Sequence, residues 1–115
     1  MGGLKICYIV NADEDLDSIY DYISKNYYSD IIAKATVQKI VSGIKRLSDM
    51  PYLGVSLDQR LGRKLNKNVE IRMLILDKYL VFYFINDDQL FIMRILDAKQ
   101  DYMKFLHQLS AIPNT

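Results

Sequence analysis

The fold follows from residues 69–96, VEIRMLILDKYLVFYFINDDQLFIMRIL. β-Branched and aromatic residues dominate it, and two polar pairs, Asp77-Lys78 and Asp87-Asp88, interrupt it. Two-residue connections between such runs are typical of β-hairpins. The stretch therefore predicts a three-stranded antiparallel meander, with strands from Val69 to Leu76, Tyr79 to Asn86 and Gln89 to Leu96.

Two-residue turns also predict the register of the meander. They place Leu76 opposite Tyr79 and, at the second turn, Asn86 opposite Gln89. One face of the sheet is then entirely apolar, and we expect the helical hairpin that precedes the meander to cover it. Its residues are Ile71, Met73, Ile75, Leu80, Phe82, Phe84, Phe91, Met93 and Ile95.

The opposite face of the meander mixes cations, a phenol and aliphatic residues. It holds Glu70, Arg72, Leu74, Tyr79, Val81, Tyr83, Leu90, Ile92 and Arg94. Arg72, Tyr83 and Ile92 form a cross-strand row in this register. A solvated sheet face is usually more polar. This face is therefore either ordinary surface, whose arginine stems cover aliphatic neighbours, or a cationic groove for a polypeptide or a phosphate backbone.

One strand and two helices are predicted before the meander. The run from Lys5 to Val10 predicts a strand. Helical spacing of apolar residues predicts a first helix from about Asp13 to Asn26. A second helix begins at Ser29 or Asp30, either of which is a suitable N-cap, and ends before Pro51. The short connection between them predicts an antiparallel helical hairpin.

The remaining segments complete an α+β fold. Pro51 to Lys67 has no sustained period and is predicted to be a loop, whereas Asp101 to Leu109 predicts a short terminal helix. We expect a single domain over residues 1–115. Its order is an N-terminal strand, an antiparallel helical hairpin packed on the antiparallel meander, and a short C-terminal helix.

Composition excludes several classes of protein. With 15 Lys and Arg against 14 Asp and Glu, and half its residues apolar, the chain of 115 residues is neither disordered nor built to coat nucleic acid nonspecifically. The single Cys7 and the single His107 predict no disulfide, no Cys/His zinc cage and no cofactor. No apolar run is long enough to span a membrane. We therefore expect a cytoplasmic protein without a metal or a membrane partner.

Charge is unevenly distributed along the chain. Acidic residues outnumber basic residues before position 31, and basic residues predominate between positions 60 and 78. Four of these cations fall within the predicted loop: Arg60, Arg63, Lys64 and Lys67. An acidic end and a basic middle can face different partners.

Four motifs occur in the order of the predicted elements. They are DLDSIYDYI at 15–23, LSDMPYLG at 47–54, the strand pair IRML and YLVFY within 71–83, and RILDAKQDY at 94–102. Their order and spacing resemble the RelE/ParE family of bacterial toxins from type II toxin–antitoxin modules over nearly the whole chain. RelE-like members cleave messenger RNA in the ribosomal A site, and ParE-like members poison DNA gyrase.

This resemblance implies a growth-inhibiting toxin and a small cognate antitoxin encoded next to it. Ribosome-dependent cleavage of messenger RNA is the favoured activity, with gyrase inhibition or a degenerate toxin that only binds its antitoxin as alternatives. The candidate catalytic residues are Arg72, Arg94, Tyr83 and Lys99. The candidate residues for binding nucleic acid or the target are Arg60, Arg63, Lys64, Lys67 and Tyr102.

The chain departs from the family pattern at positions that matter for RNA cleavage. Asp97 stands where many relatives have a His, and Lys99 and Gln100 replace the two arginines of the closing motif. The tyrosine before Arg72 is Ile71, and His107 lies in the terminal helix, away from the predicted face. Without a nearby imidazole, proton transfer has no ordinary donor. We therefore expect no cleavage of free RNA and, at most, weak cleavage on the ribosome.

Overall fold

The computed structural model describes residues 3–100 and 102–108 of the chain. A 3₁₀ turn at Arg46–Ser48 follows the second helix. The elements in order are β1 (Lys5–Tyr8), α1 (Val10–Tyr27), α2 (Asp30–Lys45), β2 (Val55–Ser56), α3 (Leu57–Leu61), β3 (Arg72–Leu76), β4 (Tyr79–Asn86), β5 (Gln89–Asp97) and α4 (Tyr102–Gln108).

The predicted α+β order is confirmed, and the meander forms the centre of a five-stranded sheet. The strand order is β1-β5-β4-β3-β2, with β1 parallel to β5 and the other neighbours antiparallel. Leu76 pairs with Tyr79 and Asn86 pairs with Gln89, as the two-residue turns require. Asp77 and Asp87 open these turns with φ of 56° and 57°. Asp tolerates this left-handed region better than most residues.

The helical hairpin is also confirmed, with shifted boundaries. The first strand ends at Tyr8 and α1 begins at Val10, three residues before the predicted start at Asp13. The Ser29 side chain accepts a hydrogen bond from the Ile32 N–H at 3.2 Å and so caps α2. The terminal helix lies within its predicted range, although Asp101 and Leu109 are outside the described residues.

The prediction that 51–67 is a loop is wrong. It contains β2, which pairs with β3, and the five-residue helix α3. The Ser56 hydroxyl accepts a hydrogen bond from the Gln59 N–H, and Gly62 ends the helix at φ 69°. A helix of little more than one turn is too short to show a helical period, so only its caps could have revealed it.

The face assigned to the helical hairpin is also wrong. The hairpin packs on the face that holds Val81, Tyr83 and Ile92, all completely buried. The entirely apolar face lies under α3, the segment after it and α4, through Leu57, Leu65, Phe105 and Leu106. Because both faces are covered, both are largely apolar, and apolarity alone did not identify the hairpin side.

A β-bulge in β5 explains the remaining errors in the faces. Tyr83 pairs with Ile92 as predicted, but Phe82 pairs with Arg94, so Met93 is an extra residue. An extra residue moves every later side chain to the opposite face. Ile95 consequently packs against the hairpin, and Arg94 leaves that face. Ile75, predicted to be covered, is 56% exposed next to the short β2.

Candidate functional site

Tyr83, on β4, holds the turn at Pro51 to Gly54 that follows the helical hairpin. Its buried hydroxyl donates a hydrogen bond to the Pro51 carbonyl at 2.7 Å and accepts one from the Gly54 N–H at 2.9 Å. Burial raises the pKa of the Tyr83 phenol, and the Gly54 N–H and the Arg72 charge offset this only in part. The Tyr83 phenol is therefore neutral, and its proton forms the hydrogen bond to the Pro51 carbonyl.

Arg72 holds the same turn from the neighbouring strand. Its Nε and Nη2 donate to the Gly54 carbonyl at 3.1 and 2.8 Å, and its Nη1 donates to Glu70 at 2.8 Å. The guanidinium also lies 5.1 Å from the centre of the Tyr52 ring. Only 14% of the Arg72 side chain is exposed. Most of its donors are thus occupied by the protein itself.

These contacts bring together two of the four motifs that carry the family resemblance, the one at 47–54 and the strand pair within 71–83. We call Pro51, Gly54, Glu70, Arg72 and Tyr83 the turn clamp. A Cβ at Gly54 would lie 2.7 Å from the Tyr83 hydroxyl and 2.8 Å from the Met73 carbonyl, so glycine is required by close approach. The residues of the turn clamp join the end of the hairpin to the sheet.

Arg94 is engaged by the first helix. Its Nε and Nη2 donate to the two carboxylate oxygens of Asp15 at 2.7 and 2.9 Å. Asp15 also accepts the Ile95 N–H at 2.8 Å, and the guanidinium lies 5.6 Å from the Phe105 ring centre. These hydrogen bonds to Asp15 raise the pKa of Arg94 above its ordinary value. β1 pairs with β5 only as far as Ile92, and beyond that point Asp15 accepts a backbone N–H of β5.

The structure brings together only part of the predicted catalytic set. Arg72 pairs directly with Tyr83, whereas Arg94 pairs with Phe82, whose side chain belongs to the opposite core. Lys99 is exposed in the turn after β5, and its N–H donates to the Asp97 carboxylate at 2.9 Å.

Two of the residues that depart from the family pattern, Asp97 and Gln100, contact each other in the turn after β5. The Gln100 side chain accepts the Asp97 N–H at 3.2 Å, and Lys78 lies 3.8 Å from the Asp97 carboxylate. These two residues therefore stabilise the link between β5 and α4. Tyr102 follows on α4 and packs its ring 6.0 Å from that of Phe82, so it lies partly within the core.

The four predicted binding cations are all exposed and lie close together in sequence. Arg60 lies on α3, and Arg63, Lys64 and Lys67 lie on the segment that follows. None of them takes part in the three ion pairs found within 3–100 and 102–108. We call residues 57–67 the basic segment. Its charges project from a folded support, because Leu57 and Leu65 are buried and Asp58 accepts the Leu65 N–H at 3.1 Å.

Sequence reasoning missed a groove beside the helical hairpin. It has a volume of about 550 Å³ and lies between α2, the end of α1 and the turn from β3 to β4. Its lining residues come from three separate stretches of the chain, so no local pattern could have identified it. The spacing of apolar residues predicted the helix α2, but it did not show that another side of this helix would line a groove.

The described part of the chain contains no group of three His, Cys, Asp or Glu residues placed to hold a metal. No described helix has the length and apolarity needed to cross a membrane. His107 is exposed on α4.

Comparison with known proteins agrees with this architecture. A family model described as the ParE toxin of the type II toxin–antitoxin system parDE matches residues 10–102. A solved chain titled as the chromosomal ParDE toxin–antitoxin system from P. aeruginosa has 23% identity and a TM-score of 0.65, with coverage of 82% of this chain and 95% of that chain. No significant match exists among curated proteins. Since the family model spans most of the sequence, including the turn clamp, the chain belongs to the ParE toxin family of type II toxin–antitoxin systems.

Proposed function

We propose that this toxin arrests growth by binding DNA gyrase and that it does not itself cleave RNA. The observation that carries this proposal is the engagement of Arg72, Tyr83 and Arg94 in contacts within the fold. Arg72 and Tyr83 hold the turn clamp together, and Arg94 joins β5 to Asp15 on α1. The gyrase alternative implied by the family resemblance requires binding and no proton transfer.

RNA cleavage would need groups that these contacts do not leave available. The reaction needs a base for the 2′-hydroxyl, cations for the phosphate and an acid for the leaving oxygen. The Tyr83 proton is donated to Pro51, and Arg94 is paired bidentately with Asp15. Lys99 and the cations of the basic segment can bind an anion, which meets only the second of these three needs. Messenger RNA cleavage therefore stays a prediction without geometric support.

The basic segment is the best candidate for the target interface. Its four cations are exposed and lie outside the ion pairs of the described residues. Gyrase works on DNA, so its complexes present phosphate oxygens, which Arg and Lys bind strongly. Burial of Leu57 and Leu65 supports the segment from below. Such a target also implies action in the bacterial cytoplasm.

Supercoiling of relaxed plasmid by purified gyrase tests the proposal. We expect the wild-type toxin to inhibit supercoiling and to leave messenger RNA intact in a translation extract. Arg63→Glu with Lys64→Glu should weaken inhibition by about tenfold or more, because reversed charges repel phosphate. Lys25→Glu with Lys34→Glu on the exposed hairpin surface gives the same charge change and should alter inhibition by less than about twofold.

Each other outcome has a definite meaning. Full inhibition by the Arg63 and Lys64 variant would show that the target interface lies outside the basic segment. Cleaved messenger RNA together with unaffected gyrase would support ribosome-dependent cleavage of messenger RNA instead. If expression causes no growth arrest at all, the chain is a degenerate toxin that retains only antitoxin binding.

A further inference from the structure

We infer that the basic segment binds the phosphate backbone of duplex DNA directly, in the absence of gyrase and independently of base sequence. In the cell the duplex is the one that gyrase holds, so the inference rests on the proposed function and names the chemical partner of its interface. The contact uses one side of the sheet, which is covered by α3, the basic segment and α4.

Charge is distributed unequally between the two sides of the sheet. On the helical hairpin side, residues 10–48 hold five basic side chains against six carboxylates. On the other side, residues 57–67 and 102–107 hold a single carboxylate, Asp58. The same residues carry five exposed cations, which are Arg60, Arg63, Lys64, Lys67 and Lys104. The net charge of +1 for the whole chain therefore conceals a local excess of positive charge, which attracts a polyanion to this side.

The cations on this side are available to a phosphate. None of them belongs to an ion pair within the described part of the chain. The carboxylates nearest to them in sequence are engaged elsewhere. Asp58 accepts the Leu65 N–H at 3.1 Å, and Glu70 pairs with Arg72 at 2.8 Å. A phosphate therefore does not have to displace an internal carboxylate, and charge-assisted hydrogen bonds to Arg and Lys are strong.

The backbone that carries these cations is held by polar contacts. Asn66 is buried, and its side-chain oxygen accepts the N–H groups of Asn68 and Val69 at 2.8 and 3.3 Å. The Arg63 N–H donates to the Asp58 carbonyl at 3.1 Å. Because the segment is already ordered, binding costs less conformational entropy than it would in a flexible loop.

The surface on this side suits the backbone of a duplex better than a single strand or a protein. Single strands bind through bases stacked on exposed aromatic rings, and protein interfaces depend on aromatic anchors. The aromatic residues among 57–67 and 102–107 are Tyr102 and Phe105. Phe105 is buried, and the half-buried Tyr102 packs against Phe82. Contacts to duplex phosphates need only cations and other hydrogen-bond donors.

The first helix restricts DNA to the basic side. It packs on the opposite face of the sheet and exposes four carboxylates, those of Asp13, Glu14, Asp17 and Asp21. Like charges repel, so a phosphate backbone is kept away from α1 and meets the basic segment instead. Such a one-sided contact with a few phosphates differs from coating nucleic acid, which needs a high net charge.

Fluorescence anisotropy of a short labelled duplex, measured with the toxin alone, tests the inference. If about four phosphates are neutralised, the affinity should fall about fiftyfold as the salt concentration rises from about 50 to about 150 mM. A second duplex of different sequence should give the same curve. Supercoiling by purified gyrase is measured with the same preparations.

A pair of matched variants locates the contact. Arg63→Gln with Lys64→Gln removes two phosphate contacts, so the same rise in salt should lower its affinity only about sevenfold. Lys25→Gln with Lys34→Gln removes the same charge from the helical hairpin and should keep the wild-type salt dependence. All four positions are exposed, so the substitutions leave the fold intact, and urea unfolding of each variant confirms this.

Three results would overturn the inference. A wild-type toxin that inhibits gyrase but does not bind the duplex would refute the DNA contact and leave the proposed function intact. An equal change in the hairpin variant would show that the contact is not confined to the basic segment. Tighter binding of a single strand of the same length would replace the duplex as the partner. Conversely, duplex binding with unaffected gyrase would support the DNA contact and contradict the proposed function.

Discussion

Arg72 and Tyr83 show how side chains suited to catalysis can serve the fold instead. Both lie in the cross-strand row that the sequence predicts, and both point at the turn between Pro51 and Gly54. Each buried polar group there has a partner, which is the usual state of buried polar groups. Substituting either residue therefore tests stability before it tests activity.

Tyr83→Phe is expected to destabilise the protein by about 1–3 kcal/mol. The change removes a buried hydroxyl and leaves the Pro51 carbonyl and the Gly54 N–H without their partner. Urea unfolding followed by circular dichroism measures the loss. Tyr52→Phe is the matched control, because Tyr52 is exposed and its ring remains beside Arg72. A Tyr83→Phe protein as stable as the control would contradict the structural role.

Tyr8 predicts a loss of stability at alkaline pH. Burial, and secondly the Asp13 charge, raise the pKa of Tyr8 from 10.0 to about 12. Folding therefore favours the neutral phenol, and this contribution is fully present below pH 10 and lost as the pH rises towards 12. The urea midpoint of the wild type should fall more steeply across this interval than that of Tyr8→Phe. Parallel curves would contradict the prediction.

At the scale of elements, the basic segment depends on a few polar contacts rather than on helical length. The helix α3 has five residues, and short helices are marginal on their own. Ser56 caps it through the Gln59 N–H and also donates to Glu70 at 2.9 Å. This serine connects the basic segment to the turn clamp.

Ser56→Ala is expected to cost about 1–2 kcal/mol, because it removes an N-cap and a hydrogen bond at a buried position. Amide hydrogen exchange should show faster exchange in α3 than in the wild type. Ser18→Ala on the exposed side of α1 serves as the control and should change stability by less than about 0.5 kcal/mol. Unchanged protection of α3 would show that the cap is not needed.

Across the protein, the sheet separates two apolar cores, and strands β3, β4 and β5 each contribute side chains to both. Phe82 belongs to the core under α3 and α4, and the adjacent Val81 and Tyr83 belong to the core under the hairpin. All three are completely buried. Loss of packing in either core would expose one face of β4, so we expect the stabilities of the two cores to be coupled.

We therefore predict that the chain unfolds as a single domain in one cooperative transition. Far-ultraviolet circular dichroism reports the secondary structure, and tyrosine fluorescence reports side-chain packing, since tyrosines lie on β1, α1, β4 and α4. The two signals should give the same urea midpoint, as two-state unfolding requires. Separate midpoints would contradict this prediction.

The elements with local signals could be predicted from the order of the amino acids alone. Alternation and two-residue turns predicted the meander and its register at both hairpins, because these patterns act over a few neighbouring residues. Helical spacing and the Ser29 cap predicted the hairpin for the same reason. Even the exposed cations of the basic segment could be read from the chain, since long charged side chains are rarely fully buried.

How these elements face one another, and which side chains are available to a partner, depends on contacts between distant parts of the chain. The hydrogen bond from Arg94 to Asp15 joins residues 79 apart in sequence, and the hydrogen bond between Gly54 and Tyr83 joins residues 29 apart. The bulge at Met93 redirects Arg94 and Ile95, yet it requires the partner strand to become visible. The groove likewise forms only when α2 packs beside the end of β3, at Gly43 and Leu76. Contacts between distant residues depend on packing, and a local pattern carries no information about them.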